Sequence, residues 1–206
     1  MLHKRGMHFY LVLVLFAVYL INGLIAIPRN SVTYDEMDHW SYGKRILMRK
    51  TDKIFPFDDA SAMPISGINA IPRAFQQLKN PELLKTDGGF SDIMNGRYVT
   101  LIVCLLTGFF IYTWSRQLFG DKGGLLSLFL FVFCPNLNGH GILLTTDAYT
   151  ALFTVSTAYF YWKFIKQSGW KNFLAFSISL GLAQIVKYSM LHLIILLAIV
   201  SLLVLI

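Results

Sequence analysis

The sequence predicts an all-α, polytopic membrane protein with a large extracytoplasmic first loop, and three observations lead there. The 206 residues are 55% hydrophobic, 15% aromatic and 14% charged, whereas soluble domains carry about 25% charged residues. Apolar runs recur along the chain. The basic residues between them fall in alternate connections.

The first run, residues 7–27, holds 21 residues without a formal charge. About 20 such residues at 1.5 Å each cross the roughly 30 Å hydrocarbon core of a bilayer. His3, Lys4 and Arg5 precede it. The run is too long for a cleaved signal segment and no A-x-A site follows, so it reads as a retained signal anchor with a cytoplasmic N-terminus.

Residues 28–95 form a polar segment of 68 residues, too long for a simple connection and expected to have structure of its own. Thr33 and Glu36 have capping-box spacing. Met37, Trp40, Ile46 and Leu47 then supply the apolar stripe of a short interfacial helix. Pro56, Pro64, Pro72 and Pro81 exclude long helices beyond it, and residues 75–84 leave room for one more short helix. A loop lying on the membrane is the expectation.

Further spans are predicted at 98–114, at 123–133 with an extension past Pro135, at 148–162, at 173–186 and at 190–206. The organisation is thus a tip and first span (1–27), an extracytoplasmic loop with interfacial helices (28–95), and a bundle of about five more helices (96–206). Arg116 and Lys122 lie in one connection and Lys163, Lys166 and Lys171 in another, while residues 135–146 contain no Lys or Arg. With positive connections inside, Asp35, Glu36, Arg97, Asp147 and Lys187 all reach the outer face. A bacterial inner membrane and an endoplasmic reticulum membrane make the same demands.

The net charge of +7 does not indicate nucleic acid as a partner. Nine basic and nine acidic residues cancel within 28–95, and the excess lies at the ends of apolar runs. Cys104 and Cys134 stand in apolar surroundings, outside any CxxC pair. No Walker loop, GxGxxG, HExxH or GxSxG occurs, so nucleotide-dependent and hydrolase readings lack their signatures.

Ionisable groups beside hydrocarbon need a partner or a function. Lys187 either marks a tight turn and snorkels to the interface, or serves as a cation for a lipid-linked phosphate. Arg97 opens a span with the same two readings and a geometry suited to bidentate phosphate binding. Asp147 follows two threonines and can stabilise a helix N-terminus without further function. His140, between Gly139 and Gly141, stands where backbone can approach a ligand, or is a loop histidine without a role. Capping consumes Glu36, which leaves Asp35 as the freer carboxylate and the candidate general base. Asp35 and His39 have i, i+4 spacing that allows a metal, but two ligands are too few to support one, and no cofactor is expected.

Several motifs in order carry a resemblance. They are Tyr34-Asp35-Glu36 after the first span, Asn95-Gly96-Arg97-Tyr98, Arg116-Gln117-Leu118-Phe119-Gly120, the stretch from Cys134-Pro135-Asn136 through Gly139-His140-Gly141 to Thr145-Thr146-Asp147, and Gln184-Ile185-Val186-Lys187-Tyr188. Together they resemble the polytopic glycosyltransferases of the C superfamily, in the protein O-mannosyltransferase and aminoarabinose-transferase branch. The resemblance implies a polyprenyl-phosphate-linked sugar as donor, inverting transfer to a protein, lipid or glycan acceptor, Asp35 as base with Glu36 supporting it, Arg97 and Lys187 near the donor phosphate, and His140 and Asp147 in the same cavity. Members typically have more spans than are found here, so the chain reads as the N-terminal portion of such an enzyme, with a partner chain as one possible source of the remainder. The alternative is a transporter or membrane-assembly subunit in which the same charges line a path or an interface.

Overall fold

The computed structural model describes residues 2–49, 63–80 and 89–205. All regular structure among them is helical. α1 spans Leu2–Ala26, and a 3-10 turn, Ile27–Arg29, ends it at Pro28. Three short helices follow, α2 (Tyr34–Leu47), α3 (Ser66–Asn69) and α4 (Ile71–Lys79). α5 (Gly89–Val132) is two rods joined at Gly120, and α6 (Pro135–His140) is a single short turn of helix after it. α7 (Asp147–Lys166), α8 (Trp170–Gln184) and α9 (Leu191–Leu205) complete the order.

Gly120 has φ 75° and ψ −175°, a conformation essentially restricted to glycine. The reversal there folds the second rod of α5 back along the first, with Ser115 bonded to Ser127 at 2.6 Å across the hairpin. α7 packs on both α5 and α8, and α1 packs on α5. Their shared core holds Tyr19, Leu101, Leu128, Val132, Tyr149, Ala183 and Val186.

Outside this core the helices are apolar. Phe9, Val14, Ile21, Ile102, Phe109, Leu126, Leu130, Ile178, Ile195 and Leu202 are all exposed, far more apolar surface than water tolerates on a soluble bundle. The molecule is therefore membrane-associated. Two helical stretches among the described residues, Met7–Arg29 and Asp92–Val132, have the length and apolarity to cross a bilayer. α7 has the length but carries Thr150, Thr154, Ser156 and Thr157, and α8 and α9 have 15 residues each. The six-span count remains an inference from sequence.

Three local expectations are corrected. α5 begins at Gly89 rather than near Tyr98, because Arg73 and Asn69 give its polar first turns buried partners: Arg73 Nη1 donates to Asp92 Oδ1 at 2.9 Å, and Asn69 Nδ2 donates to the Gly96 carbonyl at 2.9 Å and Thr100 Oγ1 at 2.8 Å. The third apolar run does not continue past Pro135. Proline lacks an N–H and holds Cys134 extended, so the helix ends at Val132 and α6 starts anew. The inward face of α2 is the expected apolar stripe only in part, with Leu47 packed beside Trp40 and Ile46 against Gly67. Trp40 is buried, but Met37 is exposed and the remaining buried positions include Glu36, His39 and Lys44. Pro64 and Pro72 precede α3 and open α4; Pro56 and Pro81 lie outside the described residues.

Candidate functional site

One end of the bundle gathers the polar stations. The opposite end carries Gly120 and the basic connections: His8 Nε2 lies 2.8 Å from the Tyr112 hydroxyl, Arg116 Nε donates to Asp121 Oδ1 at 2.6 Å, and Gln117 bonds the Tyr159 hydroxyl at 3.0 Å.

At the polar end the centre is Arg97, fully buried two turns into α5. Nε and Nη2 donate to the two oxygens of Glu36, each at 2.7 Å. Nη1 donates to the carbonyls of Ile27 at 3.1 Å and Asn30 at 2.8 Å, and Nη2 also donates to the Ser31 carbonyl at 2.7 Å. Each guanidinium N–H thus has an acceptor, and none is left for a donor phosphate in this arrangement. The side chain thereby ties the end of α1 and the entry to α2 onto α5.

Glu36 is the other half of the tie and is likewise fully buried. The capping box forms: Oε2 accepts from the Thr33 N–H at 2.8 Å and the Thr33 hydroxyl at 3.1 Å. Oε1 also accepts the Leu144 N–H at 2.8 Å, which draws in the segment before α7. Gly96 leaves room for that approach, since a Cβ there would press on the end of the Leu144 side chain and make it shift. Burial pushes the Glu36 carboxyl up, but the Arg97 guanidinium and the N–H groups of Leu144 and Thr33 outweigh it and hold the carboxyl below its ordinary value. The Glu36 carboxylate is thus enclosed and bonded at both oxygens.

Asp35, one position earlier, is exposed and makes no side-chain hydrogen bond or ion pair with the described residues. Helical spacing sets it one turn above His39, which is 4% exposed and has Nδ1 3.2 Å from Ser66 Oγ. Burial holds this imidazole below its ordinary value, against the raising pull of Asp35, Asp147 and Asp38, while Lys187 adds to the lowering. One ring therefore feels charges from α2, from the start of α7 and from the turn after α8. Lys187 Nζ donates to Asp147 Oδ1 at 3.0 Å, with both side chains about half exposed.

His140 and Asp147 line one cavity of about 220 Å³. Asn136 stands beside them, and Cys104, Thr107, Phe131 and Ala151 continue the wall toward the apolar interior. The arrangement is amphipathic, with charge at the mouth and hydrocarbon below. Among the described residues no three His, Cys, Asp or Glu side chains stand close enough to hold a metal ion.

A family model described as dolichyl-phosphate-mannose-protein mannosyltransferase matches residues 88–206, more than half of the chain. The chain belongs to that family. The match makes it a glycosyltransferase-type membrane protein of the mannosyltransferase-like class. The matched stretch includes Arg97, His140, Asp147 and Lys187, whereas Asp35, Glu36 and His39 precede it. No curated protein and no solved structure is significantly similar to the chain.

His39 and Ser66 are the site neighbours that sequence reasoning underweighted. The i, i+4 spacing from Asp35 signalled proximity, but only folding shows that the imidazole is buried. Asn69 and Tyr149 were not singled out, and no short-range pattern marks them: the Tyr149 hydroxyl donates to Asn69 Oδ1 at 2.8 Å across 80 positions.

Proposed function

We propose that the chain moves a sugar from a polyprenyl-phosphate donor to an acceptor hydroxyl at the extracytoplasmic face, as an inverting glycosyltransferase. The observation that carries this reading is the half-exposed Lys187 ammonium paired with Asp147, which with His140 lines a cavity that is otherwise mostly apolar, together with Asp35, a carboxylate exposed on α2 and without a side-chain partner among the described residues. Such a site complements a ligand that is anionic at one end and hydrocarbon at the other. Membership of the mannosyltransferase family supports the same chemistry.

In this account the donor phosphate sits against Lys187, near His140, and its first isoprene units enter the cavity. Asp35 accepts the proton of the acceptor hydroxyl as that oxygen attacks the anomeric carbon from the face opposite the phosphate. The bond from the anomeric carbon to the phosphate oxygen breaks, and its electron pair leaves with the polyprenyl phosphate. Lys187 stabilises the charge that develops there. Arg97 and Glu36 act through position, holding the start of α2, which carries Asp35. The polar end is extracytoplasmic, with α1, both rods of α5, α7, α8 and α9 as six spans and the basic connections inside.

Asp35→Asn is the test. The variant should bind a polyprenyl-phosphate sugar and fail to transfer it. Full transfer by the variant would remove Asp35 as the base.

A further inference from the structure

The end of the bundle away from Asp147 and Lys187 collects charge of one sign. α7 holds 20 residues from Asp147 to Lys166, so its ends stand about 30 Å apart, the thickness of a hydrocarbon core. At the far end lie Arg116 at the close of the first rod of α5, Lys122 just past Gly120, Lys163 and Lys166 in the last turn of α7, and Lys171 in the first turn of α8. Asp121 is the one carboxylate among the described residues there, and Arg116 holds it at 2.6 Å. Gln117 reaches across to the Tyr159 hydroxyl at 3.0 Å, and Trp114, Tyr159 and Trp162 form a triangle with ring centres 6.2 to 6.3 Å apart. The ends of α5 and α7 therefore share one aromatic shelf. Lys163 Nζ sits 5.4 Å from the centre of the Tyr159 ring and Lys166 Nζ 5.6 Å from that of Trp162.

These rings hold two ammonium groups at the depth where aromatic side chains mark the headgroup layer. A ring face leaves the ammonium N–H donors open to oxygen acceptors, and no carboxylate among the described residues pairs with Lys122, Lys163, Lys166 or Lys171. Beside them Leu118, Phe119, Ile165 and Phe173 expose hydrocarbon. We propose that this end is a docking surface for anionic phospholipid: Lys163 and Lys166 take the phosphodiester oxygens of a headgroup, Lys122 and Lys171 add to the attraction, and the acyl chains lie along the apolar flank of the bundle. A soluble polyanion would match the charge and leave the apolar rim in water, and a zwitterionic lipid brings no net charge to match the surplus. The inference goes beyond the functional reading and does not rest on it, since this surface lies at the other end of the bundle from Asp35 and Lys187.

Three of the four tryptophans, Trp114, Trp162 and Trp170, stand at this end, so tryptophan emission reports on it. The test is energy transfer from them to dansyl-labelled phosphatidylglycerol, added to the full chain in an uncharged detergent, with unlabelled lipids as competitors. Unlabelled phosphatidylglycerol should displace the probe at a concentration at least about tenfold lower than phosphatidylcholine does. Lys163→Gln combined with Lys166→Gln should weaken binding by about 10- to 30-fold, near fivefold per lysine. Lys163→Arg with Lys166→Arg keeps both charges and both ring contacts and should bind within about threefold of wild type. Raising salt to about 1 M, where the screening length falls to about 3 Å, should weaken binding by wild type as well. Lys79→Gln, at the opposite end of the bundle, should change nothing. Equal displacement by the two lipids, or wild-type affinity in the double glutamine variant, overturns the proposal. Displacement by inorganic phosphate as effective as that by phosphatidylglycerol would mark a simple anion site and overturn the lipid assignment. Unfolding midpoints measured beside each binding curve separate lost docking from lost fold, and if the glutamine pair lowers the midpoint, the lipid selectivity and salt response of wild type decide.

Discussion

Glu36 and Arg97 face each other fork to fork, two N–H donors against two carboxylate oxygens at 2.7 Å, with neither side chain reached by solvent. They are 61 positions apart in sequence, and the same two side chains also hold Ile27, Asn30, Ser31, Thr33 and Leu144. Four segments therefore meet at one buried ion pair, and the exposed Asp35 is placed by it.

Removing one partner should be severe. Glu36→Gln or Arg97→Ala leaves a buried charge uncompensated, a loss of about 3–5 kcal/mol. Thermal unfolding in detergent should show a markedly lower midpoint for both. Arg97→Lys should fall with them, because one ammonium cannot replace a planar fork with five donors. An unchanged midpoint would remove the pair from its structural role.

Asp35→Asn should behave in the opposite way. Its carboxylate is exposed and bonded to none of the described residues, so unfolding should stay within about 0.5 kcal/mol of wild type. Transfer should fall by about 10²–10⁴, the usual contribution of a general base. Measuring both quantities on one preparation separates chemistry from folding.

The Thr33–Glu36 cap, the helical class and the apolar runs were legible in sequence because each is local: a spacing of three, a periodicity, a run length. The capping box led correctly to Glu36 as a spent carboxylate and to Asp35 as the free one. What could not be read was the partner of Arg97, since nothing within several residues of position 97 specifies Glu36. Arg97 and Lys187 looked equivalent as cations at helix ends, yet one is enclosed and fully bonded while the other is half exposed beside a carboxylate. The inward face of α2 escaped in part for a related reason. Its apolar part, Trp40 and Leu47, follows from spacing, but the buried Glu36 and His39 beside them depend on partners distant in sequence. The start of α5 was misplaced because hydropathy marks where a helix becomes apolar and is blind to turns stabilised by Asn69 and Arg73.

Acid should destabilise the fold in two steps. Both His39 and Glu36 are held below their ordinary values, so the unfolded chain takes up protons first and stability falls as pH drops. For His39 the loss begins below about pH 6.5, and for Glu36 below about pH 4.5. Each loss is complete once pH has passed the group's folded value. Unfolding midpoints measured from pH 8 to about pH 2 check this, and His39→Gln should flatten the upper step while leaving the lower one.

Gly120→Ala should cost about 1–3 kcal/mol from backbone strain alone, because φ is 75° and no atom lies within 4 Å of the added methyl. Gly139→Ala, with equally open surroundings and no positive φ, is the matched control and should lie within about 0.5 kcal/mol of wild type. Equal effects of the two would remove the strained hairpin from the account.

Binding of a polyprenyl-phosphate sugar to the purified chain, measured beside Lys187→Ala, tests the central claim most directly. The Lys187–Asp147 pair is half exposed and worth little to the fold, so the variant should stay folded. Saturable binding by wild type that weakens at least tenfold in the variant is the predicted result. No saturable binding by wild type, or equal binding by both proteins, would contradict a lipid-phosphate site at the mouth of this cavity.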